Sequence, residues 1–227
     1  MVDWSLARQV ARFAARSDDV PSLGLDLGAF TREIEPAVIE HAQLQPAAAL
    51  PAAEVVGRAT WAETNLESLS SLLEPVSRRL EDRLAAAGPF AAALKLGTGV
   101  TLAAEVGLVT GYMSQRVLGQ YELALLQPDS PPRLLFVASN LERAVAELGV
   151  DRVSFLRWVA IHELTHALQF GGVAWLRDHL GGLLHGYLKT VDVRIERGSA
   201  GGLPSLPNPV ELVERFREGG LAALVQN

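Results

Sequence analysis

Residues 158–170 read WVAIHELTHALQF, from Trp158 to Phe170. They place His162, Glu163 and His166 in the pattern His-Glu-x-x-His. Composition alone would put this pattern in about one such chain in a hundred, so context has to support it. Apart from Glu163 the stretch is uncharged, and Leu156, Val159, Leu164, Ala167 and Leu168 offer apolar faces for burial. A surface helix would carry charge on its far side. The spacing therefore predicts a buried helix, capped by Asp151 and stopped at Gly171-Gly172.

On that helix, residues four apart share a face, with Cβ atoms about 6 Å apart. Two imidazoles so placed converge on one ion at a Zn–N distance of about 2.0–2.1 Å. Glu163 lies one position on, about 100° round the helix. It is too far round to complete the same ligand face, yet well placed to take a proton from water activated by the metal. His162 and His166 are accordingly the candidate zinc ligands and Glu163 the candidate general base. The bland reading is a pair of core histidines bonded to backbone or carboxylates.

Working outward, the chain before the motif is expected to be mostly helical. Leu6, Val10 and Phe13 mark a first helix ending near Ser17. A second is expected from Thr31 to Ala42, around Pro36. Helical pattern resumes at Glu54 and is expected to kink or divide at Pro75 and to break at Gly88-Pro89. Residues 90–115 read as one or two close-packed helices. Gly97-Thr98-Gly99 lacks the third glycine, the preceding strand and the Gly-Lys-Ser/Thr of a phosphate loop. The segments at 120–126 and 133–138 flank QPDSPP and predict a β-hairpin, whose strand edge could take up an extended peptide. SNLE at 139–142 reads as a capping box, with Ser139 as the cap and Glu142 reaching back. Beyond the motif, a helix is expected from 174 to 189, a flexible connector over 198–209 and an amphipathic helix from 209 to 225.

The chain has 227 residues, no cysteine, a net charge of −6 and 49% hydrophobic residues. The missing cysteines exclude disulfides and thiolate metal sites. The acidic balance argues against nucleic acid as a partner. The first residues lack the apolar core of a signal peptide, and the most membrane-like segment, 96–113, is broken by Glu105. A cytoplasmic protein with no membrane partner is expected. Sparse aromatics and abundant alanine and leucine favour a mainly α fold, read as one domain over 1–227.

Several segments carry a resemblance. VAIHELTHAL is similar to the active-site helix of zincins. MVDWSLARQVAR, RVLGQYE, LLFVASNLERAVAELGVD, FLRWVAIHELTHALQF and AWLRDHL resemble a bacterial family of zincin-like hydrolases of unknown activity, often labelled as associated with deazaflavin coenzyme biosynthesis. The resemblance implies a mainly helical fold with a small sheet beside the active-site helix, His162 and His166 as zinc ligands and Glu163 as catalytic base. It also implies a third ligand on a later Glu-Gly-x-Ala helix, a segment that this sequence lacks. A fragment of a longer protein is one explanation. The internal alternatives are His185 and His179, then Asp178, Asp192, Glu196, Glu211 and Glu214.

Other polar residues have humbler expectations. Glu105 is expected to reach the surface or pair with an arginine such as Arg116, with the orienting of a histidine as the alternative, and Thr165 bonds back to its own helix. Trp4, Trp61, Trp158 and Trp175 are expected in the core, and His41 has no evident metal partner. The expected function is hydrolysis of a peptide by a zinc-dependent enzyme. The rivals are hydrolysis of a small amide and a non-catalytic helical module that retains a relic motif.

Overall fold

The computed structural model describes residues 2–85, 91–123 and 130–190. The expected connector and last helix (198–225), the far end of the first hairpin strand and the Gly88-Pro89 break lie outside them.

Among the described residues, seven helices and three strands follow in chain order. Helix α1 spans Trp4–Ala15, α2 Leu27–Ala42 and strand β1 Ala53–Val56. Helix α3 spans Arg58–Ala85 and α4 Ala91–Ser114. Strands β2 (Gly119–Glu122) and β3 (Arg133–Val137) lead into α5 (Ala138–Leu148), α6 (Arg152–Gly172) and α7 (Leu176–Thr190). The fold is mainly α with a small sheet, as the composition and the resemblance imply.

Local chemistry sets the helix starts. The side chains of Asp3, Asp26 and Asp151 accept the first free N–H groups of α1, α2 and α6, donors that a helix cannot satisfy itself. Helix α5 departs from expectation. Its cap position is Val137, with no side-chain cap. Ser139 lies inside the first turn and donates its hydroxyl to the Asp19 carbonyl at 2.7 Å instead.

The sheet has the order β1-β3-β2. The predicted hairpin forms, with β2 antiparallel to β3. Strand β1, parallel to β3, replaces the helical start expected at Glu54. Pairing with β3 supplies its backbone partners, a tertiary effect that local pattern does not announce. Prolines also prove less disruptive than expected: α2 runs through Pro36 and α3 through Pro75.

Strand β3 is the middle of the molecule. Leu134 to Val137 are fully buried, and their side chains alternate between two cores, as a period of two requires. Leu134 and Phe136 meet Phe30, Leu141, Leu156, Val159 and Leu164 on one face. Leu135 and Val137 meet Ala7, Ala11, Val56, Trp61 and Leu66 on the other. On this second face α1 and α4 approach closely. A Cβ at Gly107 would stand 2.5 Å from the Ala7 carbonyl oxygen, and one at Gly111 2.6 Å from that of Ala11. The glycine-rich segment is thus one helix whose glycines admit another backbone. Gly97 and Gly99 lie inside it. Among the described residues no helix is long and apolar enough to cross a membrane.

Candidate metal centre

Helix α6 packs one face into the first core and presents its edge to β2. Its buried residues Leu156, Val159, Ala160, Glu163, Leu164, Ala167 and Leu168 form the inward face. Position 163 belongs to it by the 100° step that separates it from His162. His162 is exposed and His166 half-buried, with rings edge to face at a centroid separation of 4.8 Å.

The two Nε2 atoms stand 3.3 Å apart. Two Zn–N bonds of about 2.05 Å at a tetrahedral angle would set their nitrogens about 3.35 Å apart, close to the separation observed. On the far side of the His166 ring, Nδ1 lies 3.0 Å from Gln169 Oε1. An amide oxygen there takes an N–H from Nδ1 and leaves Nε2 with its lone pair, which is how metal-bound histidines are usually oriented. The pair also satisfies itself without metal if one Nε2 carries the proton and the other accepts it.

Glu163 is only 7% exposed. Burial raises its carboxyl above the ordinary range; the charges of His162 and His166 and a backbone hydrogen bond from Tyr121 pull the other way. That bond runs from the Tyr121 N–H to Oε2 at 3.1 Å. Sheet register explains why the donor is free. Val137 donates to the Leu118 carbonyl, so with the register of this antiparallel pair the groups of Gln120 and Glu122 also turn towards β3 and those of Gly119 and Tyr121 turn to the open edge. Gly119 completes the fit, because a Cβ there would stand 2.7 Å from Glu163 Cγ.

An aromatic series runs along α6 into the site. Phe155 stacks on Trp158 and Trp158 on His162, with centroids 6.3 and 5.6 Å apart. Trp158 and Trp175 are 60% and 64% exposed, against the expectation of core residues. Trp158 sits on the outer face of α6 and Trp175 in the turn between α6 and α7, whereas Trp61 is buried as expected.

Of the alternatives for a third ligand, those among the described residues are not brought in. Among the described residues no three His, Cys, Asp or Glu side chains gather as a metal site. His179 packs edge-on against Trp175, and His185 and Asp178 are exposed on α7. Asp192, Glu196, Glu211 and Glu214 fall outside the described residues. Glu105 makes neither expected contact. It is half-buried, burial raises its carboxyl, and Arg116 instead lies over the Tyr112 ring. Thr165 does bond back, to the Ile161 carbonyl at 2.8 Å. His41 ends α2 exposed, without a metal partner. Spacing analysis missed Gly119, Tyr121 and Gln169, although RVLGQYE carried part of the resemblance. Only the register of β2 against α6 gives them a role.

This fold and helix match a family of proteins. The model for zincin-like metallopeptidases matches residues 2–226, and the chain belongs to that family. Among solved structures, one from Chloroflexus aurantiacus, described as "a putative hydrolase with a novel fold", is similar with 28% identity and a TM-score of 0.67. The similarity covers 84% of this chain and 60% of that one, so the chain spans less than two thirds of its neighbour's length. No curated protein matches. The deazaflavin label finds no support in either match.

Proposed function

We propose that the chain is a zinc-dependent hydrolase of peptide bonds, with His162 and His166 as two ligands and Glu163 as the group that moves the proton. The observation that carries this reading is the 3.3 Å separation of the two Nε2 atoms, the edge length of a zinc tetrahedron. A zinc ion bound there supplies a Lewis acid that polarises the scissile carbonyl and acidifies a water molecule.

The protein's own groups do the rest. Gln169 holds the His166 ring in the ligating orientation. Glu163, raised by burial, is a stronger base than an exposed carboxylate, and it hands the proton on to the leaving amine. The Tyr121 N–H restrains its Oε2, leaving Oε1 for water. The other outward backbone groups of β2, those of Gly119 and the Tyr121 carbonyl, are the ones an extended peptide would use to add as a further strand. Trp158, stacked on His162, offers an apolar surface to a neighbouring substrate side chain.

The missing third donor among the described residues favours a second reading, a relic module with weak metal affinity. Elemental analysis of the purified chain beside His166→Ala and Glu163→Gln separates the two. The hydrolase reading expects zinc near one per chain, lost in His166→Ala, and peptide-library cleavage abolished by Glu163→Gln with zinc retained. Metal without cleavage of any peptide would move the assignment to small amides or the relic. A wild-type chain that takes up no zinc would end the proposal. Gln169→Ala should weaken zinc about 10–100-fold, the usual cost of losing such a partner.

A further inference from the structure

Three arginines from three helices meet at the carboxyl ends of β1 and β3, on the segment that leads into β2. Arg58, the first residue of α3, donates from Nε to Asn140 Oδ1 at 2.7 Å. Asn140 is fully buried and is fixed in turn by donating to the Ser114 and Val117 carbonyls, both at 2.7 Å. One turn along the same face of α5, Arg143 Nη2 donates to the Gln115 carbonyl. The Gln115 side chain donates to the Ala14 carbonyl at 2.6 Å, two residues before Arg16, which ends α1. The connections Arg58–Asn140–Ser114 and Arg143–Gln115–Ala14 therefore draw the three cations around residues 114–117.

Few ion pairs among the described residues offset the cluster. Arg16 and Arg58 form no ion pair with any described residue, and Arg143 has only Glu147 of its own helix, at 3.8 Å. Asp18 and Asp19, which follow Arg16 in the chain, keep their charge but are held by other donors. Asp18 accepts the backbone N–H and hydroxyl of Thr60, each at 2.9 Å, and Asp19 accepts the Ser17 hydroxyl at 2.8 Å. Burial, then the charges of Arg143 and Arg16, press the Arg58 guanidinium below its ordinary value. In a chain of net charge −6, three mutually repelling cations are a local cost that a polyvalent anion would remove.

We propose that Arg16, Arg58 and Arg143 form an oxyanion site for a phosphate group, separate from the histidine centre. With Nε committed to Asn140, Arg58 presents the Nη1/Nη2 end of its fork, the geometry that takes two oxygens of one phosphate. A phosphate monoester carries about −1.5 to −2 at neutral pH, which answers most of the excess positive charge. A monocarboxylate would answer only one arginine. The source is either free phosphate or a small phosphate ester, and the probes distinguish them.

The test uses the full chain stripped of metal with a chelator, so that no phosphate is read at the histidines. It is titrated by calorimetry with inorganic phosphate and with glycerol 3-phosphate. Melting curves are compared with sodium chloride at matched ionic strength. Phosphate should raise the melting temperature where chloride does not. Arg58→Gln should weaken binding about tenfold, the effect of one charge-assisted hydrogen bond. Arg16→Gln, at an exposed side chain whose loss leaves the fold intact, should weaken it by at least about threefold. Arg8→Gln, on α1 away from the cluster, should leave it unchanged. Tighter binding of the ester assigns a phosphate monoester, and the reverse order assigns free phosphate. Equal stabilisation by chloride, or phosphate binding that survives intact in both Arg16→Gln and Arg58→Gln, would overturn the site.

Discussion

Gly119→Ala tests whether the place of the carboxylate matters as argued. The new methyl would lie 2.7 Å from Glu163 Cγ and 3.1 Å from both Cδ and Oε1. Carbon atoms rest about 3.5–4.0 Å apart, so about 1 Å must be found. Strand β2 has little freedom to give it, being paired to a fully buried β3. The side chain of Glu163 yields instead, and its bond from the Tyr121 N–H stretches or breaks. A displacement of about 1 Å at a reacting group costs on the order of 100-fold in rate. The proposed ligands His162 and His166 are untouched, so the metal content should stay at the wild-type level. The assay is cleavage of the best peptide found for the wild type, split into kcat and KM, beside elemental analysis and a crystal structure of the variant. A fall in kcat with zinc retained is expected. Wild-type kcat, or a structure with Glu163 unmoved beside the new methyl, would refute the reasoning. Loss of zinc would show that the strand supports the histidines rather than the carboxylate.

Two further outcomes follow from packing and burial. Gly111→Ala pushes a methyl to 2.6 Å from both the Ala11 carbonyl oxygen and Ala14 Cβ. Denaturant melts should show a loss of about 1–3 kcal/mol, the usual cost of overpacking. Gly97→Ala meets nothing within 4 Å and should instead gain up to about 1 kcal/mol from helix propensity. Glu105 gives the pH dependence. Burial raises its carboxyl in the folded chain, so the native state binds the proton more tightly than the unfolded state does. That contribution is complete below the ordinary glutamate range and is lost as pH rises through the raised value. Glu105→Gln keeps the neutral form at every pH, so its melting temperature should exceed wild type near pH 7 and the gap should close towards pH 4. A gap independent of pH would show that Glu105 reaches solvent freely.

The candidate site was partly legible from spacing. His162 and His166 had to share a face if the segment was a helix, and its uncharged neighbours made a buried helix the natural outcome. The offset of Glu163 followed from the same geometry. Nothing in the spacing indicated what Glu163 would touch, because its partner is the Tyr121 backbone, which has no side-chain signature. Strand β1 was invisible for a related reason. Four residues preceding a long helix carry too little pattern, and only the parallel partner makes them a strand. Ser139 shows the reverse error, a sound capping motif displaced when β3 ran straight into α5 and the hydroxyl found the Asp19 carbonyl.

Local sequence thus determined what short-range physics controls: helix periodicity, aspartate caps, the turn of the hairpin and the convergence of two imidazoles one turn apart. Tertiary structure decided which strand edge met the carboxylate, which glycines let backbones touch and which arginines were drawn together. Those contacts join residues 42, 100 and 82 positions apart (Tyr121 with Glu163, Ala7 with Gly107, and Arg58 with Asn140). Their pairing depends on how whole elements dock, and no local pattern records that docking.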